Sequence, residues 1–169
     1  NCFTPGDTRK EMITYVKAES KAYLMTKFLD TKNVSFNQVG NDQILLRYAD
    51  VLLMYAEALN ELGYDASEGS IALKQLNATR TRAGLTKLTA ADVPTQESFR
   101  KAILDERQKE FPYEGHRWFD LVRMGYAKSV LAKQGLNIQD YQLLFPIPQT
   151  EIEKVGDSKI LWQNPGYDK

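Results

Sequence analysis

One stretch of the chain limits the possible folds more than any other, because its apolar residues recur at the spacing of an amphipathic helix. Between Gln43 and Leu62 the positions that share this spacing are Leu45, Ala49, Leu52, Leu53, Ala56 and Leu59. A helix of this kind is stable mainly when its apolar stripe is buried against another element. Gly63 follows directly, and glycine is common just past a helix end. The stretch predicts a helix over 43–62 that needs a packing partner.

Further helices with the same periodicity supply that partner. The second is predicted to begin after Ser67 or Ser70 and to end before Gly84. Because the connection to the first helix is short, the two helices should pack as an antiparallel pair. A third helix is predicted over 96–111, a fourth over 116–124 and a short one over 127–133. The predicted fold class is all-α, built from packed helix pairs.

The two ends of the chain have a different character. Residues 1–40 are weakly patterned and are expected to be a loop-rich lead-in. Residues 143–148 should be extended, because Pro146 and Pro148 each remove a backbone donor and disfavour helix in the preceding residue. A chain of 169 residues has the usual size of one domain. We therefore expect a single domain over 1–169, with 41–169 as its core and an irregular, proline-rich C-terminal segment.

Charged residues placed inside the apolar stripes are the most unusual feature of the sequence. Acids and arginines alternate there at spacings that keep them on one helix face. Opposite charges on adjacent helices can neutralise one another in a buried ion-pair network that fixes the register of the helices. The matching supply of acids and arginines favours this structural interpretation. We expect the network to contain Arg47, Asp50, Glu57, Glu106, Arg107, Glu110, Arg117, Asp120 and Arg123.

The same carboxylates also allow a catalytic interpretation. Glu106 with Glu110, or Glu110 with Glu114, could act as the acid–base pair of a glycosidase, with Trp118 as a platform for the sugar. A catalytic pair needs two carboxylates in unequal environments, and nothing in the sequence indicates that. We therefore predict no catalytic residue and no enzyme.

Composition excludes other classes of function. Lys and Arg (22) balance Asp and Glu (22), so the chain lacks the basic excess typical of a nucleic-acid-binding protein. The one cysteine, Cys2, and the one histidine, His116, cannot form a zinc site by themselves. Motifs that bind nucleotide cofactors are absent from the sequence, so we expect neither a cofactor nor a metal. No apolar stretch is long enough to span a bilayer.

Aromatic residues are the remaining candidates for ligand contacts. Those within predicted helices are expected to belong to the core: Tyr48, Tyr55, Phe99, Phe111, Trp118 and Phe119. Those in loops or in uncertain stretches could stack on sugar rings: Tyr15, Tyr23, Phe36, Tyr64, Tyr113, Tyr126, Tyr141 and Trp162. Core packing is the expected role of most of them.

Four motifs in a fixed order make the sequence similar to a known family. They are Leu46-Arg47-Tyr48-Ala49-Asp50 continuing to Ala56-Glu57-Ala58; Leu76-Asn77 with Arg80, Arg82-Ala83-Gly84; Glu106-Arg107 with Glu110-Phe111 and Glu114-Gly115, Arg117-Trp118-Phe119-Asp120-Leu121, Arg123; and Phe145-Pro146-Ile147-Pro148 with Gln163-Asn164-Pro165-Gly166-Tyr167. Together they resemble the C-terminal part of the SusD/RagB family of Bacteroidetes. Asp7, Arg9, Lys27 and Phe28 add a looser likeness.

This resemblance implies a fold and a function. Family members are helical, with tetratricopeptide-like helix pairs, and are lipid-anchored at the outer-membrane surface. They are not enzymes; they bind oligosaccharides or other nutrients and cover a TonB-dependent transporter of the SusC type. The matched motifs are structural, so the resemblance assigns no sugar-contacting residue here and implies that most of the binding site, and the lipid anchor, lie outside this chain. The alternative is a helical scaffold or interaction module without ligand affinity of its own.

Overall fold

The computed structural model describes residues 2–17, 22–28, 30, 40–42 and 44–167. They fall into two compact units, Asn1–Arg117 and Trp118–Lys169. The sequence predicts one domain over 1–169, and that stays a prediction. In the part of the chain that is described, no helix is long and apolar enough to cross a membrane.

Three helices form the centre of the first unit: α1 (Tyr48–Leu62), α2 (Ile71–Arg82) and α3 (Gln96–Glu110). Each of them packs against the other two. Their apolar core is fully or almost fully buried and includes Leu53, Ala56, Leu73, Leu76, Phe99 and Ile103. The helical class and the packed helix pairs predicted from the sequence are confirmed.

Local chemistry explains where these helices begin. The Ser70 hydroxyl accepts a hydrogen bond from the Leu73 N–H at the start of α2. Thr95 and Ser98 form a reciprocal capping box at the start of α3. The predicted start of α1 is wrong, because residues 44–47 are not helical and the helix begins at Tyr48. Arg47 is the N-cap residue and has an extended backbone; its guanidinium, which can only donate, binds Glu110 and Glu114.

The lead-in has more regular structure than the sequence predicts. Strands β1 (Ile13–Lys17) and β2 (Ala22–Met25) form an antiparallel hairpin between two short 3-10 turns, Thr8–Met12 and Thr26–Phe28. The register shifts between Tyr15 and Lys17, and such an irregularity breaks the strict alternation by which a strand is recognised. The expectation of a loop-rich segment is wrong for these stretches. Its residues 18–21, 29 and 31–39 lie outside the described part of the chain.

A close backbone approach attaches the lead-in to the end of α2. The Thr8 N–H donates to the Ala83 carbonyl at 3.0 Å, and the Thr8 hydroxyl donates to the same oxygen at 3.2 Å. Next to it, Gly84 has a φ of 77°, and a Cβ at this position would lie 3.0 Å from the Gly6 carbonyl oxygen. This junction requires glycine both for its backbone conformation and for its space.

The second unit contains shorter elements. Helix α4 (His116–Arg123) continues into it from the first unit and is followed by α5 (Ala127–Ala132), a 3-10 turn (Asp140–Leu143) and α6 (Gln149–Val155). Residues 144–148 are non-helical, as the prolines predict, but the predicted extended stretch 143–148 is wrong at Leu143, which belongs to the 3-10 turn. The Gln163 side chain accepts from the Ile147 N–H and donates to the Ile147 carbonyl, both at 2.8 Å. A side-chain amide thus pairs with this proline-flanked backbone.

Candidate functional site

Nine charged side chains in the first unit form a connected group that we call the buried charge cluster. Its acids come from the lead-in, from α3 and from the turn after α3. Its cations come from the lead-in and from the ends of α1 and α2. The members are Asp7, Arg9, Lys27, Arg47, Arg80, Arg82, Glu106, Glu110 and Glu114.

Arg9 lies at the centre of the cluster and is 2% exposed. Its Nε and Nη2 donate to the two carboxylate oxygens of Asp7, each at 2.8 Å. Its Nη1 donates to Glu106 at 2.6 Å and to Glu110 at 2.9 Å. Burial lowers the pKa of Arg9, but the bonds to Asp7 and the charge of Glu106 outweigh that effect and hold the pKa above its usual value.

Glu110 is shared by three arginines. It accepts from Arg9, from Arg47 at 2.6 Å and from Arg82 at 2.5 Å. Arg47 also donates to the Glu110 carbonyl at 2.6 Å. One turn earlier on α3, Glu106 is shared by Arg9 and Arg80, the latter at 3.3 Å. A charge-assisted bond of this kind is stronger than a neutral one, and these bonds join four segments of the chain.

Glu114 forms the other end of the cluster. It pairs with Arg47 at 2.9 Å and with Lys27. Burial raises the pKa of Glu114, but hydrogen bonds from Arg47 and Lys27 outweigh it, so the pKa lies below its ordinary value. Burial lowers the pKa of Lys27, and its bond to Glu114 offsets only part of that effect.

A second buried pair, Asp50 on α1 with Arg107 on α3, lies beside the cluster. The two side chains meet at 2.6 Å and are 6% and 4% exposed. The guanidinium groups of Arg107 and Arg47 both lie over the Phe111 ring, at 4.9 Å and 4.5 Å from its centroid. Because both arginines stack on the Phe111 ring, the Asp50–Arg107 pair is in contact with the cluster through that ring.

The nine residues predicted as one network are divided among several contacts. Arg47, Glu106 and Glu110 enter the cluster, and Asp50 pairs with Arg107. Arg117 donates to the Leu104 carbonyl at 3.0 Å. Asp120 and Arg123 pair at 2.9 Å in the second unit, and Glu57 is half-buried on α1. That these contacts fix the helix register stays a prediction.

Six members of the cluster were not predicted as part of a network: Asp7, Arg9, Lys27, Arg80, Arg82 and Glu114. Each of them lies in one of the four family motifs or among the residues that resemble the family more loosely, so the sequence did mark these positions. Helical spacing could not reveal it, because Arg9 and Glu106 are 97 residues apart.

The arrangement of the carboxylates is suited to holding elements together. Glu106, Glu110 and Glu114 each meet at least two cations, and their side chains are at most 2% exposed. A glycosidase needs two carboxylates that reach a sugar from an open cleft. Among the described residues, no group of three or more His, Cys, Asp or Glu side chains could hold a metal ion.

An open cavity of about 430 Å³ lies next to the cluster, at the turn after α3. Its lining combines rings with polar groups: Phe28, Asn41, Asp42, Ile44, Tyr113, Glu114 and Gly115. Tyr113 is 70% exposed. Its backbone has a φ of 63°, a value that residues other than glycine rarely adopt. The exposed Tyr113 ring shares this cavity with the exposed side chains of Asn41 and Asp42, a combination that can stack on and hydrogen-bond to a small polar ligand.

The burial of the aromatic residues differs from the prediction mainly on α1. Phe99 and Phe111 are buried as predicted, but Tyr48 and Tyr55 on α1 and Phe119 on α4 are exposed. Among the loop aromatics, Tyr113, Tyr141 and Trp162 are exposed at 70%, 38% and 62%. Phe36 and the side chains of Tyr15 and Tyr23 lie outside the described part of the chain.

Comparison with known proteins identifies the family. The model of the SusD family matches residues 14–167. The chain belongs to the SusD family. The resemblance seen in its four motifs is thereby confirmed.

Two relatives show how much of a family member this chain represents. SusD-like protein P2 of Formosa agariphila is 36% identical over 140 residues, which are 76% of this chain and 26% of that protein. The starch-binding protein SusD of Bacteroides thetaiotaomicron is 31% identical over 147 residues, 82% of this chain and 24% of that protein. The chain therefore spans about a quarter of the length of the curated relatives it matches.

Two solved structures have a similar fold. B. fragilis NanU matches with a TM-score of 0.70 at 28% identity, covering 99% of this chain and 38% of NanU. Surface glycan-binding protein A from Bacteroides thetaiotaomicron, in complex with laminarihexaose, matches with a TM-score of 0.67 at 27% identity. That match covers 96% of this chain and 39% of the glycan-binding protein.

Proposed function

We propose that this SusD family protein binds an oligosaccharide or another nutrient at the outer-membrane surface without cleaving it. We further propose that it is lipid-anchored there and works as the partner of a TonB-dependent transporter of the SusC type. The observation that carries the proposal is family membership together with what two similar proteins bind, starch and laminarihexaose. The enclosed, fully paired carboxylates support binding over hydrolysis, because they offer no free acid–base pair to a substrate.

Glycan binding is tested on the product of the complete gene by electrophoresis through gels that contain starch, laminarin or no polysaccharide. We expect slower migration in at least one polysaccharide gel and no release of reducing ends from that polysaccharide. Copurification with a transporter from detergent-extracted outer membranes tests the partnership. Release of reducing ends would contradict the non-enzymatic proposal.

The cavity beside Tyr113 is the place where this chain itself is best equipped to touch a sugar. We expect Tyr113→Ala to weaken glycan affinity roughly two- to tenfold, the effect of losing an aromatic contact of about 0.5–1.5 kcal/mol. Tyr48→Ala is the comparison variant, since Tyr48 in the same unit is also exposed but does not line the cavity. Equal affinities of Tyr113→Ala and the unaltered protein would assign the glycan contacts to the rest of the protein.

The alternative is that residues 1–169 act as a helical scaffold or interaction module without ligand affinity of their own. The apolar surface that α1 exposes favours this second function. The two proposals differ in a simple observation: a scaffold keeps its partner contacts when every glycan-contacting residue has been replaced.

A further inference from the structure

The cavity beside Tyr113 is lined by two segments, one that contains Phe28 and Asn41 and one that forms the turn after α3. Within the first segment, the Asn41 side chain donates to the Phe28 carbonyl at 3.0 Å. Lys27, the residue before Phe28, donates to the Glu110 carbonyl at 3.0 Å and pairs with the cluster carboxylate in the turn. These bonds connect the two segments, so the cavity exists before a ligand arrives.

The charged groups that line this cavity are all negative. They are Asp42 and Glu114, and among the described residues that line it none is Lys, Arg or His. The Glu114 side chain is 1% exposed and pairs with Arg47 and Lys27. Asp42 is exposed. The charge that a ligand in this cavity meets first is therefore the Asp42 carboxylate.

An acidic sugar would find no opposite charge in this lining. Carboxylate and sulfate groups are commonly held by arginine or lysine, and the cations of the buried charge cluster do not line the cavity. The negative group of such a sugar would instead face Asp42, and like charges at close range repel each other. An uncharged sugar avoids this repulsion.

The same carboxylate is suited to the hydroxyl groups of an uncharged sugar. An ionised carboxylate only accepts hydrogen bonds, and its two oxygens can take two hydroxyl protons at once. Two neighbouring hydroxyl groups of a sugar ring supply such a pair of donors, and a charged acceptor strengthens both bonds. Asn41 adds an amide to the lining, and the exposed Tyr113 ring adds an apolar surface for the C–H groups of the sugar.

We infer that the cavity beside Tyr113 takes an uncharged sugar through two neighbouring hydroxyl groups, and that Asp42 is the residue that excludes acidic sugars. The inference rests on the proposed function and deepens it, because it names the class of glycan that this cavity holds. It also assigns specificity to a residue that belongs to none of the four family motifs.

Ligands that differ only in charge test the inference. They are laminarihexaose and maltohexaose, each used unchanged and with its primary hydroxyl groups oxidised to carboxylates. Calorimetric titration measures their affinities for the product of the complete gene. We expect at least one neutral hexasaccharide to bind about fivefold or more tightly than its oxidised form, the effect of one repulsion between charges roughly 4 Å apart in water.

Asp42→Asn keeps the size of the side chain and removes its charge. We expect this variant to lower the preference for the neutral hexasaccharide by about fivefold. Asp65→Asn is the matched control, because Asp65 is also exposed but does not line the cavity, and it should leave the preference within about twofold of the unaltered protein.

A salt series on the unaltered protein covers the case in which the Asp42 variant does not fold. We expect the preference to shrink as sodium chloride is raised from about 0.05 M to about 1 M, because salt screens exposed charges.

Four results would overturn the inference. They are equal or tighter binding of the oxidised form, a preference that Asp42→Asn leaves unchanged, a preference that salt does not alter, and binding of none of the hexasaccharides. The polysaccharide gels separate these failures from that of the proposed function. Retardation in a gel leaves the proposed function standing when the preference is absent, whereas loss of both removes the two together.

Discussion

The Arg9 guanidinium binds carboxylates from the beginning and from the end of the sequence of the first unit. Asp7 is two residues away, whereas Glu106 and Glu110 lie on α3, and all four side chains are at most 2% exposed. A buried ion pair adds little net stability compared with apolar residues, but removing one partner leaves an uncompensated buried charge. The cost of losing Arg9 should therefore exceed that of losing any exposed ion pair.

We expect Arg9→Ala to reduce the free energy of unfolding by about 3–5 kcal/mol. Asp7 loses the ion pair that it makes with Arg9, and Glu106 keeps only its longer contact with Arg80. Urea denaturation measures the change. Lys101→Ala, which removes the exposed pair with Glu97, is the control and should cost less than about 1 kcal/mol. Equal losses in the two variants would contradict the central role of Arg9.

The pKa values of Asp7 and Glu114 predict how stability depends on pH. Both carboxyl groups have a folded-state pKa below the ordinary one, because hydrogen bonds from Arg9, or from Arg47 and Lys27, outweigh burial. Their contribution is fully present above about pH 5 and is lost as the pH falls through the folded-state pKa values. We expect the urea midpoint to fall between about pH 5 and pH 2, and to fall less steeply in Glu114→Gln. Identical slopes would contradict this.

In the sequence, charged residues can be recognised where they interrupt the apolar stripe of a helix, and they are missed where there is no stripe. Asp50, Glu106, Arg107 and Glu110 stand out because they occupy buried positions of helical stripes. Arg9 lies in a segment without periodicity, and its partners on α3 follow about a hundred residues later. Only the folded chain brings them together, so local pattern alone cannot identify Arg9 as the centre.

Among the elements, the helices were predictable and their junctions were not. The apolar periodicity locates α1, α2, α3 and α4 to within a few residues. The start of α1 shifts to Tyr48, and the lead-in hairpin was missed because its register is irregular. The exposed tyrosines of α1 are a further miss: Tyr48 and Tyr55 were assigned to the core because they lie in a helix. A stripe pattern does not tell how many sides of a helix are covered.

Two glycines that follow helices make a matched test of element ends. Gly84 after α2 has a φ of 77°, and a Cβ there would lie 3.0 Å from the Gly6 carbonyl oxygen, whereas Gly63 after α1 has an extended φ of 173° and open space where a Cβ would lie. We expect Gly84→Ala to cost about 1–2 kcal/mol or more, and Gly63→Ala to change the stability by about 0.5 kcal/mol at most. Thermal melts of the two variants check this. A Gly84→Ala variant as stable as Gly63→Ala would show that the junction can relax.

At the scale of the whole molecule, the two compact units can unfold together or one after the other. The sequence predicts a single domain from its length of 169 residues. Each unit nevertheless has its own buried residues, such as Ile103 in the first and Leu121 in the second. Length alone cannot separate one domain from two, because it says nothing of which contacts form.

We expect Ile103→Ala and Leu121→Ala to shift one common thermal transition. Each removes a buried aliphatic side chain, which costs about 2–5 kcal/mol. In a single cooperative domain either loss moves the whole transition. Calorimetry distinguishes the outcomes, because a second peak that moves in only one of the variants would show two independent units.

The long span between Arg9 and its partners on α3 also sets an order of events during folding. Asp7 is two residues from Arg9, whereas Glu106 and Glu110 are 97 and 101 residues away, so the Arg9–Asp7 pair can form first. The lead-in must wait for α3 before it can take its place, and closing so large a loop is a slow step. The beginning of this chain is among the last parts to settle.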